Sequence, residues 1–179
     1  MNKSPFETVL PHFLFQVAGK PTGSDLSGAF LVSKDKVAIG AQEEVVVLLG
    51  GPKALGGGAY SLDQGLDGKI GQDLQAFIKE SDQNPEDLEA VVFAGKTFAH
   101  LEKREGDYEK LEALGLLEAG KITGGVNYVD LPVLALLSLR HLGVKMKNII
   151  ILPVDVAEYG DILYREGEEK KNAFSLERR

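Results

Sequence analysis

The chain of 179 residues is 44% hydrophobic and 26% charged, an ordinary composition for one folded domain that argues against disorder. Its formal net charge of −7 would repel a phosphate backbone, so we expect no nucleic-acid partner. It contains no cysteine, which excludes a thiol nucleophile, a disulfide framework and a thiolate-bound metal.

We expect no signal peptide in this chain. No charged stretch followed by an uninterrupted apolar run stands near residue 1, as a signal peptide requires. The most apolar segment, from Leu131 to Leu142, is too short to span a bilayer and contains Arg140 and His141. We therefore expect a cytoplasmic protein with no membrane contact, folded as a single domain over residues 1–179.

The first half of the chain reads mainly as strands. Residues 13–17 predict a short strand, and the runs 29–33 and 37–41, with three polar residues between them, predict a hairpin. The continuous apolar run 45–49 is typical of a strand covered on both faces. Residues 50–58 are rich in glycine and predict a flexible surface loop, or alternatively a mobile flap over a pocket.

The middle of the chain alternates helix and strand. Residues 70–78 place Ile70, Leu74, Phe77 and Ile78 on one helical face. Residues 88–93 predict a buried strand, and residues 107–114 predict a short helix.

A Leu-rich helix and further strands follow. Asp130 is a good N-cap for the helix from Leu131 to Leu142. This helix is apolar around most of its circumference, so it is either buried on more than one side or forms a homo-oligomer contact. Residues 149–154 predict a buried strand, and residues 161–165 and 172–176 predict a closing hairpin.

This order of elements favours one fold class. Strands dominate both ends and two strand–helix alternations lie between them, which predicts an α+β fold. We expect a mixed, largely antiparallel β-core with the helices packed on it, in α/β/β layers.

Two candidate binding motifs are weak. Residues 90–97 match a relaxed phosphate-loop pattern ending in Gly95, Lys96 and Thr97, but the middle of the pattern is strand-forming. Nucleotide binding through these three residues and a chance match both stay open. The three histidines, of which His100 has the best position for a site, do not stand at metal-ligand spacing, and we expect neither a metal nor a cofactor.

One constellation of residues resembles a known family. Thr22 precedes Ser27 and Gly28, an apolar run follows, and Glu44 comes shortly after Ile39-Gly40. This order resembles the chemoreceptor glutamine deamidases of bacterial chemotaxis (CheD), in which a Thr precedes a Gly-Ser-Cys turn and a His follows an Ile-Gly-Gly.

The resemblance covers roughly residues 22–176. Residues 86–95 are similar to the strand that ends in Phe-Gly-Gly in that family. The laccase-domain, peptidoglycan-editing proteins share the fold, and the segment around Tyr164-Arg165 is similar to theirs.

The departures from the family pattern decide what the resemblance implies. Gly28 stands where the family has its nucleophilic Cys, Glu44 stands near its His, and Thr22 alone of the triad is retained. Deamidation by a thiol is therefore excluded. The favoured interpretation is a non-catalytic relative of a glutamine amidohydrolase in bacterial signalling, which binds a protein partner or a small ligand.

An enzyme with replaced chemistry is the alternative. The hydroxyl of Ser27 or Thr22 could act as a nucleophile for hydrolysis or acyl transfer, with Glu44 or His100 as its base. A carboxylate is ordinarily a weak base at neutral pH, which counts against Glu44 in this role. The candidate pocket on either reading contains Thr22, Ser27, Gly28, Glu44 and His100.

Overall fold

The computed structural model describes residues 6–20, 26–95, 107–123 and 126–179, and of residues 121–123 and 126–128 it describes the backbone alone. The strands are β1 (Phe6–Val9), β2 (Phe13–Val17), β3 (Leu31–Ser33), β4 (Lys36–Ala41), β5 (Val45–Gly50), β6 (Leu55–Tyr60), β7 (Glu89–Phe93), β8 (Gly120–Thr123), β9 (Val126–Val129), β10 (Ile149–Leu152) and β11 (Asn172–Arg178). The α-helices are α1 (Leu62–Leu66), α2 (Lys69–Ser81), α3 (Asp107–Leu114) and α4 (Leu131–His141). Short 3₁₀ helices cover Pro85–Asp87, Leu117–Ala119, Met146–Asn148 and Val156–Tyr159.

The strands form two main sheets. One has the order β1-β2-β11-β4 and is antiparallel throughout. The other has the order β10-β7-β5-β6-β3, and in it β7 and β10 are parallel while the other neighbours are antiparallel. Strands β8 and β9 form a separate two-stranded ribbon. The expected mixed, largely antiparallel α+β fold is confirmed.

The five-stranded sheet lies between two hydrophobic cores. Strand β5 is fully buried, and its side chains alternate in direction: Val46 and Leu48 face the four-stranded sheet, whereas Val47 and Leu49 face the helices. Between the sheets, the rings of Phe93 and Phe174 pack with their centroids 5.0 Å apart. The layers are therefore helices, sheet and sheet, as the pattern of the chain predicts.

The helices begin and end largely where the sequence indicates. Helix α2 buries Ile70, Leu74 and Phe77. Asp130 caps α4, because its side chain accepts a hydrogen bond of 3.3 Å from the backbone N–H of Val133.

The expected hairpin over residues 29–41 is wrong. Strand β3 pairs with β6 at the edge of the five-stranded sheet, whereas β4 pairs with β11 in the other sheet. The link between the two strands offers neither Gly nor Asn for the backbone of a tight hairpin turn. It carries the chain from one sheet to the other instead.

The expected loop over residues 50–58 is also wrong, because residues 55–58 belong to the buried strand β6. Its glycines are required by close packing. A Cβ on Gly57 would lie 2.1 Å from Cδ2 of Leu48, and one on Gly56 would lie 2.9 Å from the rings of Phe30 and Phe77. Composition alone suggests flexibility, whereas here glycine serves close approach of the neighbouring side chains.

The end of the chain differs from the sequence expectation as well. Residues 161–165 form no strand, and β11 runs between β2 and β4. The side chain of Asn172 makes the hydrogen bonds that a paired strand would otherwise make with Tyr164. Its Oδ1 accepts from the N–H of Tyr164 at 2.8 Å, and its Nδ2 donates to the carbonyl of Tyr164 at 2.9 Å. Strand β10 is half-buried at a sheet edge and not fully buried.

Candidate functional site

A cavity of about 340 Å³ opens beside the segment that precedes β3. Its walls come from that segment, from the turn between β4 and β5, from the end of β6, from helices α1 and α2 and from the residue before β11. The lining residues are Gly28, Ala29, Phe30, Glu44, Ala59, Tyr60, Ser61, Gln64, Lys69, Asp73 and Lys171.

Backbone hydrogen bonds hold Gly28 at the wall of this cavity. Its carbonyl accepts from the N–H of Ala59 at 2.9 Å, and the carbonyl of Ser27 accepts from the N–H of Gly40 at 3.0 Å. A Cβ on Gly28 would lie 3.1 Å from the carbonyl oxygen of Gly40, which is a tight contact. Gly28 lies in the loop before β3, whereas the resemblance to the deamidases predicts that it begins a strand.

The turn between β4 and β5 presents Glu44 to the cavity. Oε2 of Glu44 accepts a hydrogen bond of 2.7 Å from the backbone N–H of Gln42. The side chain of Gln42 in turn donates to the carbonyl oxygens of Glu168 and Lys170, the latter at 3.2 Å. These bonds tie the turn to the segment that carries Lys171.

Helix α2 brings a second charged group to the cavity. Lys69 and Asp73 are one helical turn apart, and Nζ of Lys69 donates to Oδ1 of Asp73 at 2.8 Å. Oδ2 of Asp73 accepts a hydrogen bond of 2.9 Å from the hydroxyl of Tyr60, which is buried. Burial, followed by the charge of Asp73, raises the pKa of Tyr60 far above its usual range, so this phenol acts as a donor.

Glu44 and Lys171 complete the charged lining with opposite signs. Within the part of the chain that the structure describes, neither of them forms an ion pair. Asp73 and Lys69 already neutralise each other. The cavity therefore offers a bound molecule one carboxylate and one ammonium group.

The structure brings two of the candidate site residues together, since Gly28 and Glu44 line the same cavity. Ser27 is not part of its lining, and its hydroxyl oxygen accepts a turn hydrogen bond of 3.0 Å from the N–H of Ala29. Thr22 and His100 lie outside the described residues.

Of the candidate phosphate-loop residues, only Gly95 is described, and Lys96 and Thr97 lie outside the described residues. Gly95 follows β7 with a φ of +51°, and a Cβ there would lie 2.1 Å from the carbonyl oxygen of Glu44. Its carbonyl accepts a hydrogen bond of 2.7 Å from the N–H of Val156. This glycine therefore serves a close backbone contact with the turn that carries Glu44.

Among the described residues, no group of three His, Asp or Glu side chains is arranged to hold a metal ion. Nor does any helix in the described ranges have the length and apolar character needed to cross a membrane.

Among the cavity residues that sequence reasoning missed are four with a charged or phenolic side chain: Tyr60, Lys69, Asp73 and Lys171. The spacing of Lys69 and Asp73 on a predicted helix is visible in the sequence and indicates an ion pair. Tyr60 and Lys171 carry no comparable signal. Tyr60 ends a strand that the glycine content disguises, and Lys171 reaches the cavity only through pairings of strands distant in sequence.

Comparison with known proteins gives a likeness at the level of structure. No family model matches the chain, and no curated protein matches it in sequence. The hypothetical protein YfiH of Bacillus licheniformis superposes with a TM-score of 0.73 at 15% identity over 84% of this chain and 61% of its own. YlmD from Geobacillus stearothermophilus gives a TM-score of 0.73 at 14% identity over 84% and 60%. Protein NMB0706 of Neisseria meningitidis, described as DUF152, gives 0.67 at 17% over 83% and 64%.

The fold is laccase-like. YfiH, YlmD and the DUF152 protein have this fold, which supports the laccase-domain part of the expected resemblance. They give no support to the expected relation to chemoreceptor deamidases or to a role in chemotaxis. Sequence identities of 14–17% support a shared fold and no shared function. The chain spans about three fifths of the length of these structures.

Proposed function

We propose that this protein is a non-catalytic binding domain that takes a small dipolar molecule into the cavity around Gly28 and Glu44. The observation that carries the proposal is the placement of Glu44 and Lys171, two opposite charges without an ion-pair partner among the described residues, on one cavity. A molecule with both an ammonium and a carboxylate group, such as a free amino acid, complements the two charges at once.

The size and the other groups of the cavity support the same ligand class. A volume of about 340 Å³ lies at the lower end of the range for small-molecule sites. The hydroxyl of Tyr60 donates to Asp73, so these two groups are already engaged with each other in the wall of the cavity. Glycine at position 28 supplies no attacking group. These features favour binding over chemistry.

The experiment uses a panel of free amino acids, each tested beside its carboxamide and its deaminated acid, with binding measured by calorimetry and thermal shift. We expect an amino acid to bind more tightly than either derivative. Glu44→Gln should weaken binding of compounds with an ammonium group, and Lys171→Gln should weaken binding of compounds with a carboxylate, each by about tenfold or more.

Two features of the design keep the result specific. Lys171→Gln should not weaken binding of the carboxamide any further, because the carboxamide lacks the carboxylate that Lys171 recognises. Glu169→Gln and Lys170→Gln are the matched controls, since both side chains are exposed and outside the cavity lining. If no amino acid stabilises the protein, or if the cavity variants bind as the wild type does, the proposal is wrong.

A further inference from the structure

A second and larger cavity, of about 580 Å³, lies at the opposite end of strand β7 from Gly95. It shares no lining residue with the first cavity. Its walls are formed by Pro11, His12, Phe13, Gly51, Pro52, Asp87, Glu89, Asn148, Arg178 and Arg179.

A buried carboxylate fixes the position of His12 in this cavity. The side chain of Glu89 is only 9% exposed, whereas that of His12 is 75% exposed. Oε2 of Glu89 contacts Nδ1 of His12 at 2.7 Å, and Oε1 accepts from the backbone N–H of His12 at 3.2 Å. Both carboxylate oxygens are thus engaged by one residue, which fixes its backbone and its ring together.

This arrangement determines which ring nitrogen of His12 is available. Since Nδ1 donates to Glu89, Nε2 remains for a bound molecule. An imidazole that carries both protons donates from Nε2 as well. In that form His12 presents an N–H to the cavity.

Two arginines supply further donors. The guanidinium of Arg178 lies 5.3 Å from the ring centroid of Phe13 and donates to the carbonyl of Lys34 at 3.0 Å. Arg179 donates to the carbonyl of Leu10 at 2.7 Å. A guanidinium has five N–H donors in a fixed plane, so both groups keep donors beyond these contacts. Their contacts hold them in place before any molecule binds.

The hydrogen-bond donors of the lining favour an anion. Two guanidinium groups and the imidazole of His12 stand beside the carboxylates of Asp87 and Glu89, and Arg178 also forms an ion pair of 3.9 Å with Asp35. A cation finds less support, because His12 already occupies both oxygens of Glu89.

We propose that this cavity binds a small molecule through an oxyanion group, a phosphate or a carboxylate, held by Nε2 of His12 and the guanidinium groups of Arg178 and Arg179. The volume suits a small organic ligand. The carboxylate of Glu89 acts as a positioning group for His12. This site is separate from the first cavity, around Gly28 and Glu44, and does not depend on the function proposed for that cavity.

The test titrates the whole protein with inorganic phosphate and, separately, with acetate, at constant ionic strength. Binding is followed by thermal shift and by the imidazole resonances of His12, assigned with a His12→Gln variant. Both titrations are carried out at one pH, so that the charge of phosphate itself stays constant, and the wild-type protein should respond to phosphate or to both anions. A response to phosphate alone identifies a phosphoryl ligand, and a response to both anions identifies an oxyanion site in general.

The variants make the test specific. His12→Gln and Arg178→Gln should each weaken anion binding by about tenfold or more. Arg178 packs on Phe13, so circular dichroism checks its folding, and the largely exposed His12 supplies the second variant. Lys36→Gln is the matched control, since it removes one charge from the exposed pair with Glu177 outside the cavity. No response to either anion, or an equal loss of binding in Lys36→Gln, overturns the proposal.

Discussion

The hydroxyl of Tyr60 donates a hydrogen bond of 2.9 Å to Asp73, whose other carboxylate oxygen accepts one of 2.8 Å from Lys69. Burial raises the pKa of Tyr60 well above its usual range, and the neighbouring carboxylate raises it further. The folded protein therefore keeps this phenol proton at pH values at which the unfolded chain loses it.

The stability of the protein should depend on this proton in alkaline solution. A raised pKa in the folded state contributes stability that is fully present below about pH 10 and is lost as the pH rises above it. Tyr60→Phe should reduce the free energy of unfolding by about 1.5–3 kcal/mol at neutral pH, because it removes a hydrogen bond to a charged group. The difference in the free energy of unfolding between the wild type and Tyr60→Phe should become smaller above about pH 10.

Urea unfolding at several pH values between neutral and alkaline measures that gap. Tyr164→Phe serves as the control for the general effect of alkali, since Tyr164 is half-buried and lies outside the cavity. A constant gap between wild type and Tyr60→Phe across this range would contradict the prediction.

Gly40 should tolerate no side chain. A Cβ at this position would lie 2.2 Å from the carbonyl oxygen of Leu26, which belongs to the segment that carries Gly28 to the cavity. Gly40→Ala should destabilise the protein by about 1–3 kcal/mol and should also weaken ligand binding at the first cavity, because the segment must shift.

Gly71 is the matched control for that substitution. It lies in helix α2, and no atom lies within 4 Å of a Cβ placed there. Gly71→Ala should stabilise the protein by about 0.5–1 kcal/mol, because alanine has the higher helix propensity. Chemical unfolding of the two variants would refute the packing argument if both lost the same amount of stability.

The Leu-rich helix α4 buries fewer of its leucines than its composition suggests. Leu134 and Leu139 are buried, whereas Leu136 and Leu137 are half-buried, although the apolar circumference of the helix predicts that both are strongly buried. Leu134→Ala should cost about 2–5 kcal/mol of unfolding free energy. Leu136→Ala should cost roughly half as much in a monomer.

The expected homo-oligomer through this helix remains a prediction. In an oligomer that covers Leu136, its substitution should cost as much as that of Leu134 and should make stability depend on protein concentration. Sedimentation of wild type and Leu136→Ala, combined with unfolding at two concentrations, distinguishes the two cases.

Asn172 should be critical for the end of the chain. It is fully buried, and its amide satisfies both the N–H and the carbonyl of Tyr164. Asn172→Ala leaves these two backbone groups without their partner and should cost about 1–3 kcal/mol or more. Asn148→Ala is the comparison, because Asn148 is only half-buried and makes a bond of 3.5 Å. Equal losses in the two variants would show that the side chain of Asn172 has no such role.

Local pattern by itself determined the fold class and most elements. The helical spacing of Ile70, Leu74 and Phe77 predicts α2, and the uninterrupted run of β5 predicts a strand covered on both faces. Absence of cysteine excludes thiol chemistry without any structure. These properties follow from composition and from periodicity within one segment.

Only the tertiary structure decided which strands pair and which side chains meet. The glycines of β6 suggest a loop in the sequence, whereas the structure shows that the side chains of Leu48 and Phe77 fill the space beside them. His12 and Glu89 are 77 positions apart, and Glu44 and Lys171 are 127 positions apart. Contacts of this kind depend on sheet order, which long-range packing sets and which no local pattern specifies.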